Sequence, residues 1–350
     1  MAAFKHRLIG AGFKAFSLTG LHRMMAPLTR GQGAILTFHR VQPWQERGFA
    51  PNRLLEITPD HLDAVLGHVK AQGYRIVPLD EIVPHLAART RDPVVALTFD
   101  DGFRDNVVHA LPVLERHAAP FTVFVTSGFA DRTARLWWVE LEAIVRRLPR
   151  LRFTLDGVPR TLPAETPADK DRSFAKLAGL MARRRPGEVD DLMAYLTDGI
   201  HPSPSAVVDD LCLSWDEIER LASHPLAAIG CHTATHANLA LLDLDALDRE
   251  LGDARQALEE RLGRPVRHLA YPFGGPHAAG AREFAAAAAH GFAAAVTTRP
   301  GVLFPGHAAR AMALPRISIN GLWQDLGALD VLLSGAAFAL WNPGRRLSPD

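Results

Sequence analysis

The chain has 350 residues, of which 48% are hydrophobic and 22% charged, and a formal net charge of +1 with histidine neutral. That length can hold one large α/β domain or two smaller ones, and a charge so near zero argues against a nucleic-acid partner. Cys212 and Cys231 are the only cysteines, which argues against a disulfide framework and is compatible with a reducing compartment.

Residues 1–30 carry Lys5, Arg7, Lys14, Arg23 and Arg30 and no acidic residue, with apolar residues recurring at Phe4, Leu8, Phe13, Phe16, Leu21 and Met24. A secretory signal needs a longer apolar run between a basic start and a small-residue cleavage site, and a bilayer span needs more apolar length. Two readings stand: a helix packed on the outside of the domain, which we favour, and a basic amphipathic helix in peripheral contact with a membrane. The expected location is the cytoplasm or the inner face of a membrane.

From residue 34 the chain alternates strand and helix. Ala34 to His39 reads as a buried strand, Thr58 to Gln72 as a helix capped by Thr58 and stopped by Gly73, and Tyr74 to Val77 as a short strand. Val94 to Phe99 is nearly all apolar, as a parallel strand covered on both faces should be. A helix over Asn106 to His117 and a strand over Phe121 to Val125 follow. The rhythm changes over 131–212, which reads as an insertion: a hairpin turned at Asp156-Gly157, two helical stretches broken at Pro186-Gly187, and a loop over His201 to Ser205. It resumes with a capping box at Ser214 and Glu217, a strand over Ala227 to Cys231, and a helix from Asp243 to Leu262 closed by Gly263. Strands at His268 to Tyr271, Ala293 to Thr297 and Leu314 to Ile319, with an Ala-rich helix over Ala278 to His290, complete the α/β pattern.

The chemistry gathers at two strand ends. Asp100 and Asp101 close one strand and are followed by Gly102. In regular strand geometry the two would face opposite ways, but a turn at Gly102 can tip both into one pocket. Two close carboxylates are stable there if a cation sits beside one, which leaves the other free to act as a base. His232 and His236 close the second strand at i, i+4 spacing. On a helix that spacing puts both rings on one face, suited to one shared metal.

Thr98-Phe99-Asp100-Asp101-Gly102 followed by His232-Thr233-Ala234-Thr235-His236 resembles the first two motifs of the polysaccharide deacetylase (NodB-homology) family. The resemblance covers roughly 34–130 and 213–320, with 1–33 as an N-terminal segment and 321–350 as a tail. It implies an α/β fold, an irregular (β/α) barrel of the NodB-homology type with a mainly helical insertion. It also implies a metal-dependent hydrolase that removes N-acetyl groups from an amino-sugar glycan. Asp100 would be the general base. Asp101, His232 and His236 would hold one divalent metal, zinc by preference, with cobalt, nickel or manganese as alternatives. Tyr271, Pro272 and Phe273 match the third motif, which places an oxyanion donor near an aromatic after a proline.

Two family positions are altered. Ala270 stands where the family has an arginine paired with the base; Arg267 and Arg316 are the candidates, and Arg316 is preferred. The family's late histidine, which protonates the leaving amine, has no counterpart after residue 307, so His39 is the candidate acid. Trp137, Trp138 and Trp215 are candidate groove walls. The implied partner is an N-acetylated glycan or glycolipid. Two other readings remain at this stage: iron and oxygen chemistry on the same ligand set, and a metal-containing glycan binder without turnover.

Overall fold

The computed structural model describes residues 2–90, 92–196 and 204–341. Eight parallel strands form its main sheet, numbered here β1 (Gly33–Phe38), β2 (Arg75–Ile76), β3 (Val94–Phe99), β4 (Phe121–Val125), β5 (Ala227–Cys231), β6 (His268–Ala270), β7 (Ala294–Pro300) and β8 (Leu314–Ser318). Their order is β1-β8-β7-β6-β5-β4-β3-β2, and β1 also pairs with β3. Seven strands therefore close a ring. β2 pairs only with the start of β3, at Val94 and Val95, while β4 pairs with its end, at Leu97 to Phe99. This shared edge makes the (β/α) barrel irregular.

Closure explains the composition of the strands. β1, β3 and β4 are buried at every position, because one face fills the lumen and the other lies under helices. Ile35, Ala96, Phe124, Ala270 and Val296 belong to one apolar cluster; their strand neighbours Leu36, Leu97 and Leu269 belong to another. Phe38 and Phe99 stack with centroids 5.0 Å apart. Burial of each such side chain contributes roughly 1.5–3 kcal/mol.

The helix signals are realised in detail. Thr58 caps Pro59–Ala71 by accepting from the His61 N–H at 3.1 Å. Ser214 and Glu217 form the capping box of Trp215–Ala222, and Gly263, at φ 62°, ends Leu244–Leu262. Three expectations shift. Asn106–Ala110 is a π-helical turn before the α-helix Leu111–Arg116. Pro186 opens the helix Pro186–Leu196, where its fixed φ suits the first turn. Of the loop read over 201–205, residues 201–203 lie outside the described residues and Pro204 begins the helix Pro204–Leu211.

Much of the described part of residues 131–212 gathers around a separate apolar cluster, which Phe49 joins. The helix Trp137–Arg147, a hairpin of Arg150–Leu155 and Val158–Pro163, and the helices Pro167–Met181 and Pro186–Leu196 pack around Leu151, Phe153, Phe174, Leu177, Leu192 and Met193. Asp156 (φ 50°) and Gly157 (φ 76°) supply the two left-handed residues that the tight hairpin turn requires.

The helices Ala2–Thr19 and Leu21–Thr29 lie outside the barrel. Phe13 is buried with its ring 5.5 Å from Trp323, edge to face, and Thr29 donates a hydrogen bond to the Ser334 carbonyl at 2.6 Å. Packing on the domain is thus the arrangement seen. Leu18, Met24 and Leu28 nevertheless remain exposed. Among the described residues no helix is long and apolar enough to cross a membrane.

Gly230 fixes how β5 lies against its neighbour. A Cβ there would overlap the fully buried ring of Phe124. Gly230→Ala is expected to lower stability by about 1–3 kcal/mol in urea unfolding. An unchanged midpoint would show that the ring yields freely.

Candidate active site

Asp100 and Asp101 follow β3, and each is only 2% exposed. Asp101 takes φ 72° and Gly102 φ 66°. These two left-handed residues in succession break the strand's alternation, so neighbouring carboxylates turn into the same pocket. His232 follows β5, its N–H donating to the Val125 carbonyl at 2.8 Å.

The histidine pair corrects the sequence reading: residues 232–238 form no helix. Thr233 (φ 65°) and His236 (φ 59°) fold the chain into a tight loop instead. The loop brings the two ring centroids to 5.0 Å. Their Nε2 atoms stand 3.4 and 3.2 Å from Asp101 Oδ1. Left-handed backbone is rare for non-glycine residues and costs about 1–3 kcal/mol each when strained. Of eight such residues described, Asp101, Thr233, His236 and Phe273 cluster here, which marks the rim as the place where the fold holds an unfavourable shape.

What holds the loop is a residue the sequence did not single out. The buried Glu250 carboxylate accepts from the N–H groups of Ala234 (3.0 Å) and Thr235 (2.9 Å) and from the Thr235 hydroxyl. Thr126 donates to the His232 carbonyl at 2.9 Å. His232 Nδ1 lies 2.7 Å from the Ala270 carbonyl, which assigns a proton to Nδ1 and turns Nε2 toward Asp101. His236 is walled by Trp138, Phe129 and Phe273, with centroids at 4.7, 6.1 and 5.3 Å.

One ligand atom each from Asp101, His232 and His236 lies within 4.8 Å of the others. Asp101 Oδ1 is buried without a hydrogen-bond partner. A buried carboxylate oxygen facing the Nε2 atoms of two imidazoles is a ligand set that suits a divalent cation. Burial alone would raise the Asp101 pKa, but the two histidines outweigh it and hold the carboxyl well below the usual range.

Asp100 has a different partner. Arg316, on β8 and 1% exposed, donates from Nη1 to Oδ1 at 2.7 Å and from Nη2 to Oδ2 at 2.6 Å. Its Nε donates to the Thr297 carbonyl at 2.8 Å, and Nη1 also reaches the Thr98 hydroxyl at 3.2 Å. Burial pushes the Asp100 pKa up; the Arg316 charge and hydrogen bonds overcome it, so the group sits below the usual carboxylate value. Arg267, the other candidate, pairs instead with Asp80 at 3.1 Å. His39 Nε2 stands 3.9 Å from Asp100 Oδ2, and its enclosure lowers its pKa despite the nearby carboxylates.

The third motif divides. Tyr271 is fully buried: its N–H is taken by the Val296 carbonyl at 3.1 Å, and its hydroxyl donates to the Met312 carbonyl at 2.9 Å. It has no donor left for an oxyanion, and Pro272 has no N–H at all, so neither fills the expected donor role. Phe273 does face the site, beside His236. Of the three tryptophans, Trp137 lines a cavity next to His236 and Trp138 packs on His236. Trp215 belongs elsewhere, donating to Asp131 at 2.8 Å under the Arg261 guanidinium.

Arg316→Ala would strand a buried carboxylate. We expect a loss of about 3–5 kcal/mol at neutral pH. The sign with pH follows from the depressed Asp100 pKa: the wild-type advantage is present above the unfolded value and lost as pH falls through the folded one. Urea unfolding of both proteins should therefore converge in acid, and a gap that is constant with pH would refute the pairing energy.

Residues 87–295, more than half of the chain, match the family model described as Polysaccharide deacetylase. No curated protein matches the chain. Among solved structures, the Streptococcus pyogenes deacetylase PplD in complex with acetate is 17% identical, with a TM-score of 0.55, over 86% of this chain and 96% of that one. IcaB from Ammonifex degensii is 19% identical, with a TM-score of 0.52, over 87% and 97%. The de-N-acetylase from Aggregatibacter actinomycetemcomitans is 14% identical, with a TM-score of 0.52, over 85% and 99%. At such identities the likenesses speak for the barrel, and the family match speaks for the chemistry. The chain belongs to the polysaccharide deacetylase family, the NodB-type carbohydrate esterases that hydrolyse N-acetyl amide bonds.

Proposed function

We propose that the protein removes the acetyl group from an N-acetylated amino sugar within a glycan or glycolipid, with Asp101, His232 and His236 holding one divalent ion. Zinc suits a set of one oxygen and two nitrogen ligands best, with cobalt, nickel or manganese as alternatives. The single observation that carries the reading is the pairing of Asp100 with Arg316 beside that ligand set. A glycan binder without turnover has no use for a second buried carboxylate kept ionised next to the first.

A cation bound there would polarise the acetamide carbonyl and make a nearby water more acidic. The chain's own residues do the rest. Arg316 keeps Asp100 charged and fixes its plane, so the carboxylate can take the proton of the attacking water. The water oxygen bonds to the acetyl carbon and the carbon–nitrogen bond breaks. His39, neutral at rest and close to Asp100, receives that proton and passes it to the leaving amine. The products are acetate and the free amino sugar. Trp138, Phe129 and Phe273 exclude bulk water from His236.

Asp100→Asn should retain the metal and lose about 10²–10⁴-fold in acetate release, and His39→Ala should lose turnover with the metal in place. Asp101→Ala and His232→Ala should lose the ion itself. Stoichiometric metal in both of these last two proteins would reject the ligand assignment.

The proposal also places residues 1–30 in peripheral contact with an anionic membrane surface, on the cytoplasmic or inner face. It rests on Leu18, Met24 and Leu28, exposed on a segment that includes Lys14 and Arg23 and has no acid. Vesicles containing anionic lipid should sediment the protein and lose it in high salt; equal recovery with neutral vesicles would remove this part.

A further inference from the structure

The helix Leu21–Thr29 reverses the usual arrangement. A helix laid on a domain buries its apolar face and shows its polar one. Here His22 and Thr29 are the buried residues, and each is held by main-chain carbonyls. His22 Nδ1 lies 2.9 Å from the Phe16 carbonyl, and Thr29 donates to those of Met25 and Ser334 at 2.9 and 2.6 Å. Leu21, Met24 and Leu28, at i, i+3 and i+7, form one outward stripe, with Met24 78% and Leu28 75% exposed. Leu18 on the preceding helix is exposed too, as are Leu340 and Trp341 on the helix Ala336–Trp341, which packs against Leu21–Thr29. Two ends of the described chain thus bring apolar side chains to one region of the surface.

The other flank of the same helix is basic. Arg23 and Arg30, again i and i+7, line a cavity of about 170 Å³ together with Gln72, Tyr74 and Asp330. Arg23 is exposed and Arg30 partly so, so neither is sealed inside the protein. Among the described residues no carboxylate pairs with either. Arg30 lies over the Tyr74 ring at 5.4 Å, which holds the guanidinium while leaving its N–H groups open. Asp330, the acid in the lining, is engaged by His68 at 2.6 Å. Two forked cations with unclaimed N–H groups suit the oxygens of a phosphate.

We propose that this cavity is a headgroup site for an anionic glycerophospholipid, whose phosphate is held by Arg23 and Arg30 while Leu21, Met24, Leu28 and Trp341 enter the acyl boundary. The assignment rests on the membrane reading of residues 1–30 and gives that contact a ligand. A helix is about 10 Å across, so with its apolar flank at the acyl boundary its opposite flank stands among the phosphates. A second copy of the chain fits less well. Pairing two such segments would set Lys14, Arg23 and Arg30 of each copy against their like, with no acid in residues 1–30 to meet them. An anionic bilayer supplies both the apolar phase and the opposing charge.

The full chain would be sedimented with vesicles of phosphatidylcholine, with and without phosphatidylglycerol. Arg23→Lys and Arg30→Lys keep the net charge but not the forked donors. Each should weaken retention on phosphatidylglycerol vesicles about tenfold, the loss of one charge-assisted hydrogen bond. Lys14→Arg, outside the cavity, should bind as the wild type does. Calorimetry with dihexanoyl phosphatidylglycerol below its micelle concentration should show saturable binding to the wild type, weakened in both arginine variants, and no comparable binding of inorganic phosphate. Equal retention of all four proteins on the anionic vesicles would mean that surface charge suffices; it overturns the site and leaves the membrane reading standing. A wild-type protein that ignores those vesicles overturns both. Inorganic phosphate that binds as well as the short lipid assigns the cavity to a soluble anion and overturns the lipid assignment.

Discussion

Two carboxylates one residue apart, both sealed from water, repel each other and lose their hydration. The fold keeps them because each has its own partners. Arg316 grips Asp100 through two parallel hydrogen bonds, while Asp101 faces two imidazoles. A buried pair of this kind is weak evidence for stability, since well-packed apolar residues would serve as well or better. What it provides is a fixed charge at a fixed place, and it divides the work between the aspartates: one can hold a cation while the other handles a proton. Remove the guanidinium and the division fails.

The barrel supplies the distances. The groups come from the ends of β1, β3 and β5 and from within β8, far apart in sequence and adjacent only because the ring closes. The carboxyl ends of parallel strands are where such barrels place their chemistry. The left-handed residues at Asp101, Thr233, His236 and Phe273 then aim side chains that a regular strand or helix would send elsewhere. Glu250 and the carbonyls of Val125 and Ala270 hold that shape, so the strain at the rim is carried by hydrogen bonds from the elements around it.

Much of this was legible in the sequence because it is written in local terms. Apolar runs marked the strands, Thr58, Ser214 and Gly263 marked helix ends, and the Asp-Asp and His-His pairs marked the site. Arg316 was a preference among two arginines; only ring closure puts β8 next to β1 and decides between them. The helix inferred for His232 and His236 was wrong, although their convergence was right. The i, i+4 spacing suits a helix, but a loop with two left-handed residues brings the same rings together, and nothing in Thr-Ala-Thr announces it. Glu250 could not be found either: in sequence it is one more acid on an amphipathic helix. Tyr271 was drawn into the site by its motif, while its hydroxyl and amide were already committed to the core.

The insertion packs around Leu151, Phe174, Leu177 and Met193, a cluster separate from the one beneath the strands. Two hydrophobic nuclei within one chain can drift independently, since volume changes in one are not felt as voids in the other. Over evolutionary time, mutations around Phe174 can thus accumulate while leaving the aspartates and histidines untouched. A lineage of such enzymes can vary its insertion in this way without rebuilding its catalytic rim.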